Sequence, residues 1–158
     1  MLVVFDLDFT LWDCGGTWCD HTDPPYSRHA RDGSIRDAHG RNIRLYRDVL
    51  EILKGLQTQP TSHILAVASR TSAPDWAKEL MELFDIEKYF QHFEIYPGSK
   101  IRHFKSLQEK TGIPYSEMVF FDDEYRNIQE VGDLGVKAVL VEDGINAKII
   151  QKNVPGWS

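Results

Sequence analysis

Two acids two residues apart, Asp6 and Asp8, follow the apolar run Leu2-Val3-Val4-Phe5 and lead into Phe9-Thr10. Carboxylates held that close repel each other, so the pair calls for a cation, a shared proton or a basic partner. A second group of acids, Asp122-Asp123-Glu124, follows Met118-Val119-Phe120-Phe121 and makes the same demand for a metal ion or an ammonium group. A third apolar run ends in Ser69-Arg70-Thr71, where a hydroxyl and backbone amides suit a phosphate-like oxygen. Lys100 follows Pro97-Gly98-Ser99 at the expected start of a helix, where the helix dipole disfavours a cation and leaves it wanting an anionic partner. Each has a plainer reading when taken alone: a helix-capping aspartate, a strand that happens to end in serine, a solvated lysine. It is their order along the chain that points to chemistry.

The elements that position these residues are legible as alternating patterns. Leu2–Phe5 reads as a fully buried strand and 63–68, 118–121 and 138–141 as further strands, with another short strand at 94–96. Helices are expected at 47–57, with Pro60 as its stop, at 74–84, which carries Pro74 in its first turn, at 100–110 and at 127–134, with Gly135 beyond its end. Strands alternating with helices imply an α/β protein with a doubly wound, mainly parallel sheet and helices on both faces. In such sheets ligands lie beyond the carboxyl ends of the strands, which is where all four polar groups fall.

One stretch breaks the alternation. Residues 12–45 are rich in Asp, Gly, Pro, His and Arg, too long for a simple connector. The segments 35–37 and 42–44 read as a small β-hairpin with Gly40 in its turn, within a flap standing over the end of the first strand. Asn153–Ser158 is expected to be a loose tail.

Composition bounds the class. The 158 residues, 42% hydrophobic, suit one globular domain over 1–158. A net charge of −6 with scattered Lys and Arg argues against nucleic acid as a partner. No basic leader or membrane-length apolar run is present, so no membrane partner is expected, and a soluble, cytoplasmic monomer is the expectation. Cys14 and Cys19 fit neither a zinc site nor a redox pair, and are read as free thiols.

The order Asp-x-Asp-x-Thr, Ser, Lys, Asp-Asp at successive strand ends resembles the haloacid dehalogenase superfamily of phosphohydrolases. Within it, Phe5-Asp6-Leu7-Asp8-Phe9-Thr10-Leu11-Trp12, Ala68-Ser69-Arg70-Thr71, Glu94-Ile95-Tyr96-Pro97-Gly98-Ser99-Lys100 and Phe120-Phe121-Asp122-Asp123-Glu124 look like the small magnesium-dependent phosphatase-1 family. The resemblance implies an Mg²⁺-dependent phosphomonoester hydrolase working through an aspartyl phosphate. By resemblance Asp6 is the nucleophile and Asp8 the general acid and base. Asp6 and Asp123 would bind the metal by carboxylates and Asp8 by its backbone carbonyl. Ser69 and the amides of Leu7, Asp8 and Arg70 would hold phosphoryl oxygens, Lys100 would neutralise nucleophile and phosphate, and Asp122 would orient Lys100 or a metal-bound water. Spacing leaves open whether Asp122 or Asp123 is the direct ligand, and family analogy favours Asp123. Dehalogenases need neither the acid at position 8 nor a metal, so Asp8 with Asp122-Asp123 favours phosphoryl transfer.

The flap is too small for a cap domain. It leaves an open mouth that admits a phosphorylated side chain or small molecule, and the resemblance implies protein phosphotyrosine or a phosphorylated sugar or sugar-amine as substrate. Trp12, Trp18, Tyr26 and Tyr46 are expected either to stack on such a ring or to anchor the flap. His21, His29, His39, His92 and His103 are read as surface residues, and Asn127 as a helix cap or a group in the metal's water shell. A receiver-like phospho-acceptor or a non-catalytic binding domain on the same scaffold is the alternative reading.

Overall fold

The computed structural model describes residues 1–58 and 63–157. In chain order its elements are β1 (Leu2–Phe5), β2 (Trp12–Asp13), β3 (Ser27–Arg28), β4 (Ile35–Arg36), β5 (Asn42–Leu45), α1 (Val49–Thr58), β6 (Ile64–Ser69), α2 (Pro74–Leu83), β7 (His92–Ile95), α3 (Lys100–Thr111), β8 (Met118–Asp122), α4 (Tyr125–Gly132), β9 (Lys137–Leu140) and α5 (Ala147–Asn153). The main sheet runs β7-β6-β1-β8-β9 and is parallel throughout. Chain order reverses direction across the sheet between β1 and β8, which opens a crevice at their carboxyl ends.

The period of two in a strand sends alternate residues to opposite faces. Val3 and Phe5, with Leu65 and Val67, pack against α1, α2, α5 and the flap; Leu2 and Val4, with Ala66 and Ala68, pack against α3 and α4 through Phe104, Leu107 and Val131. Both faces of β1 are therefore buried, which explains why its sequence is uniformly apolar. Ser99 caps α3 by accepting from the Ile101 amide, and Gly112 at φ 69° ends it in the left-handed conformation. No helix among the described residues is long and apolar enough to cross a membrane.

Several expectations are revised. The flap is not a lone hairpin: β4 and β5 pair as expected, but β2 and β3 extend them into a four-stranded antiparallel sheet ordered β2-β5-β4-β3. Helix α4 starts at Tyr125, two residues before the expected Asn127. The carboxyl-terminal stretch is not loose, because α5 runs to Asn153, Val154 is buried, and Trp157 packs so closely on α1 that a Cβ at Gly55 would lie 2.8 Å from its indole nitrogen. The short apolar content of residues 147–153 hid that helix, since only Ile150 of it is fully buried. Pro60, expected to stop α1, and Ser158 lie outside the described residues.

Candidate functional site

The β1 ladder continues one residue past the strand, with the Asp6 amide donating to the Phe121 carbonyl at 3.0 Å, so Asp6 is held as rigidly as the sheet itself. Beyond it the chain turns sharply. The Leu7 carbonyl accepts from the amides of Thr10, Leu11 and Trp12, and Phe9 takes a left-handed conformation at φ 61°. For a non-glycine residue that conformation costs about 1–2 kcal/mol. The turn brings Trp12 back beside Asp8, where the indole Nε1 donates to Asp8 Oδ1 at 2.7 Å and the Cys19 amide donates to the same oxygen at 3.0 Å.

The other strand ends converge on Asp6. Lys100, at the first turn of α3, is 1% exposed and donates to Asp6 Oδ1 at 3.1 Å, Asp122 Oδ2 at 3.0 Å and the Ala68 carbonyl at 2.5 Å. Its charge, unfavourable at a helix start, is thus matched by two carboxylates. Burial opposes that charge, but Asp6 and Asp122 outweigh it and raise the Lys100 pKa. Asp122 is fully buried, with further donors from the Asn127 side chain at 3.0 Å and the Glu124 amide at 2.8 Å. Asp123 instead faces a cavity of about 270 Å³ that is also lined by Asp6, Asp8, Ser69, Arg70, Lys100 and Asn127.

Among the described residues, Asp6, Asp122 and Asp123 bring carboxylate oxygens within 4.8 Å of one another. Burial, then the charge of Asp122, pushes the Asp6 carboxyl well above the usual carboxylate range even though Lys100 pulls it down. Burial raises Asp123 to about 6. Burial likewise raises Asp8, against the lowering donors from Trp12 and Cys19. Three acids around one lysine form a cluster short of positive charge, and its donors are hard oxygens of the kind Mg²⁺ prefers. The residues fit a divalent cation.

Of the residues singled out from the sequence, Asp6, Asp8, Ser69, Arg70, Lys100 and Asp123 line one cavity, and Leu7 and Asp122 lie directly behind it. The aromatics divide. Trp18 is 46% exposed at the rim, whereas Trp12 is fully buried and Tyr26 nearly so, anchoring the flap instead of facing a ligand. His103 is not a surface residue but is completely buried, because α3 turns it inward onto the end of β6. Asn127 caps no helix: it donates to Asp122 and Glu124 and accepts from Arg70 Nη1 at 3.0 Å, joining the ends of β6 and β8. Cys14 and Cys19 are free thiols, as expected, and both are buried.

Sequence reasoning missed Trp12 as a partner of Asp8. Its spacing of four residues was compatible with a turn contact, but nothing in composition separates an indole that donates inward from one that faces a ligand. Asp20 was also missed, and it ties the flap to the loop after β6 by accepting from the Ser72 hydroxyl at 2.8 Å.

Against known families, the acid phosphatase model matches residues 1–158, the whole chain. The chain belongs to the acid phosphatase family. Its relatives include human magnesium-dependent phosphatase 1, 50% identical over 154 residues that cover 97% of this chain and 84% of the human protein. A HAD-like hydrolase superfamily protein of Schizosaccharomyces pombe is 42% identical over 85% of this chain and 81% of its own length. Among solved structures, a HAD family enzyme from Bacteroides thetaiotaomicron, in complex with magnesium and inorganic phosphate, superposes with a TM-score of 0.66 at 16% identity, covering 94% of this chain and 98% of that one. That likeness shows the haloacid dehalogenase fold. The family resemblance and the doubly wound architecture expected from the motifs are both met in this acid phosphatase family member, and magnesium is the metal these comparisons carry: in the name of the human relative and in the Bacteroides complex.

Proposed function

We propose that this family member is an Mg²⁺-dependent phosphomonoester hydrolase, a single domain that works in two steps through an aspartyl phosphate on Asp6. The observation that carries the reading is the convergence of Asp6, Asp8, Ser69, Lys100 and Asp123 on one cavity at the carboxyl ends of the parallel strands.

The residues that would hold the metal are Asp6 and Asp123 by carboxylates and Asp8 by its backbone carbonyl. Asp122 is left to position Lys100, since two donors besides Lys100, the Glu124 amide and the Asn127 side chain, already occupy its buried oxygens. When bound, Mg²⁺ supplies positive charge between a carboxylate nucleophile and a phosphate dianion. The remaining work belongs to the chain. Lys100 screens Asp6, and Ser69 with the amides of Leu7, Asp8 and Arg70 holds the equatorial oxygens as charge develops on them. Asp6 attacks phosphorus and the leaving oxygen departs with a proton from Asp8, whose raised pKa suits an acid. In the second step Asp8, now a carboxylate, takes a proton from water as it attacks the phosphoryl group and frees Asp6.

The substrates we infer are a phosphotyrosine side chain or a phosphorylated sugar or sugar-amine. A cavity of about 270 Å³ sits at the small end of ligand sites and suits a phosphoryl group with its adjoining ring. Trp18 offers that ring an exposed apolar face at the mouth.

The test is release of phenolate from an aryl phosphate with Mg²⁺, with EDTA, and with Asp6→Asn. Metal-dependent turnover that falls at least about 10³-fold in a folded variant is the expected result. Appreciable metal-dependent turnover by Asp6→Asn would overturn the nucleophile assignment, and no turnover by the wild type would overturn the phosphatase reading.

A further inference from the structure

His103 has both ring nitrogens pressed against backbone carbonyls. Nε2 lies 3.0 Å from the Ser69 oxygen and 2.9 Å from the Tyr96 oxygen, and Nδ1 lies 3.0 Å from the Ser99 oxygen. A carbonyl oxygen only accepts, and a neutral imidazole carries a single N–H. A neutral ring would therefore turn a lone pair on one of these oxygens inside a fully buried site, where an unmatched polar contact is costly. Only the doubly protonated ring presents an N–H to each of the three carbonyls, of which Ser69 and Ser99 also accept from the backbone amides of Tyr96 and Arg102. The ring also stacks on Tyr96, with centroids 4.3 Å apart and planes 9° from parallel.

The three carbonyls are not arbitrary ones. Ser69 ends β6 and supplies the hydroxyl assigned above to the phosphoryl oxygens. Ser99 caps α3 immediately before Lys100. Lys100 itself donates to the Ala68 carbonyl, so two residues one helical turn apart grip two successive carbonyls at the end of β6. Building on the phosphatase reading, we propose that His103 is a positioning residue for the phosphate site, an imidazolium clamp that ties Ser69, Tyr96 and the Lys100 helix start into one rigid unit.

The clamp is pH-dependent. The groups around the ring are Lys100 on its own helix, the stacked Tyr96 from the loop after β7, Arg102 with its guanidinium 5.8 Å from the Tyr96 ring centroid, and Glu94 on the Tyr96 hydroxyl. Burial first, then the charge of Lys100, lowers the imidazole pKa below its ordinary value, while the carbonyls raise it less. The full clamp is then present in acid, and half of it slackens as the ring loses a proton toward neutral pH. The contribution of His103 to catalysis should fade in the same direction.

His103→Phe keeps the ring, its volume and its stack on Tyr96 but removes all three hydrogen bonds, and His103→Gln restores amide donors. Turnover of an aryl phosphate with Mg²⁺ should fall about 10–100-fold in His103→Phe at about pH 5, by less at about pH 7.5, and in part recover in His103→Gln, with the Tm close to that of the wild type. Nitrogen-15 NMR of the wild-type ring should show both nitrogens protonated in acid and one deprotonating below the ordinary histidine range. A His103→Phe defect that is absent, that is equal at both pH values or that tracks a fall in Tm overturns the clamp. So does a ring that stays neutral throughout, which can be read even if the variants fail to fold. Loss of turnover in the wild type itself would count against the phosphatase reading, whereas an unimpaired His103→Phe beside an active wild type would count against the clamp alone.

Discussion

The Trp12 indole donates to Asp8 Oδ1 across 2.7 Å, and with the Cys19 amide it occupies one oxygen of that carboxyl group. A carboxyl with one oxygen so engaged presents its other oxygen in a defined direction, which is what proton transfer to a leaving group requires. Trp12→Phe retains the buried ring and removes the donor. Turnover should fall about 10-fold, the usual order for losing a group that orients a site residue. Since the donor lowers the Asp8 pKa, its loss should also move the pH limb set by Asp8 upward. A pH–rate profile superimposable on the wild type would show that the contact is packing alone.

Asp8→Asn removes the proposed proton donor but leaves Asp6 in place. A phenolate leaves with little protonation and an alkoxide needs it, so hydrolysis of alkyl phosphates should fall about 10-fold or more beyond any loss on aryl phosphates. Steady-state rates on one substrate of each kind decide the matter, and equal losses would speak against Asp8 as the acid.

Lys100 is the cation between Asp6 and Asp122, and all three are nearly or fully buried. Lys100→Met leaves two carboxylates without that compensation and should destabilise the metal-free protein by about 3–5 kcal/mol, part of which Mg²⁺ recovers. Urea unfolding in EDTA and in Mg²⁺ measures both effects, and a cost under about 1 kcal/mol would mean that water or protons compensate the acids instead.

The carboxyl groups of Asp6 and Asp123 are both raised on folding, Asp123 to about 6. A group whose folded pKa lies above its unfolded value adds stability that is fully present below the unfolded pKa and lost as pH rises through the folded one. In EDTA their contribution to Tm should therefore be larger at about pH 5 than at about pH 7. Asp123→Asn should flatten that dependence, and Mg²⁺ affinity should weaken as pH falls through about 6, because protons compete for the same oxygens. Thermal unfolding of wild type and variant at both pH values, with and without metal, checks the sign; a steeper dependence in the variant would contradict it.

Much of the architecture was legible in advance because its signals are local. A strand buried on both faces must be apolar throughout, so β1, β6 and β8 declared themselves, and the acids that end β1 and β8 stood out against that background. Pro74 and Gly112 marked helix limits through their own backbone preferences. Helix α5 did not declare itself, since it is short and buries little. The four-stranded form of the flap sheet was also hidden, as its two-residue strands β2 and β3 exist only through their pairing.

By itself, then, the chain determined which residue types stand at the ends of its parallel strands, and with them a crevice carrying acids, a hydroxyl and a lysine. Tertiary structure decided who faces whom. Lys100 and Asp6 are 94 positions apart and meet because α3 starts beside the end of β6, the strand that pairs with β1. Trp12, Asn127 and His103 each carry an amphipathic or amide side chain whose polar atoms are satisfied equally well by water, a ligand or a neighbour. Their partners in the fold, Asp8, Asp122 with Arg70, and three backbone carbonyls, became choices only once burial had excluded the water.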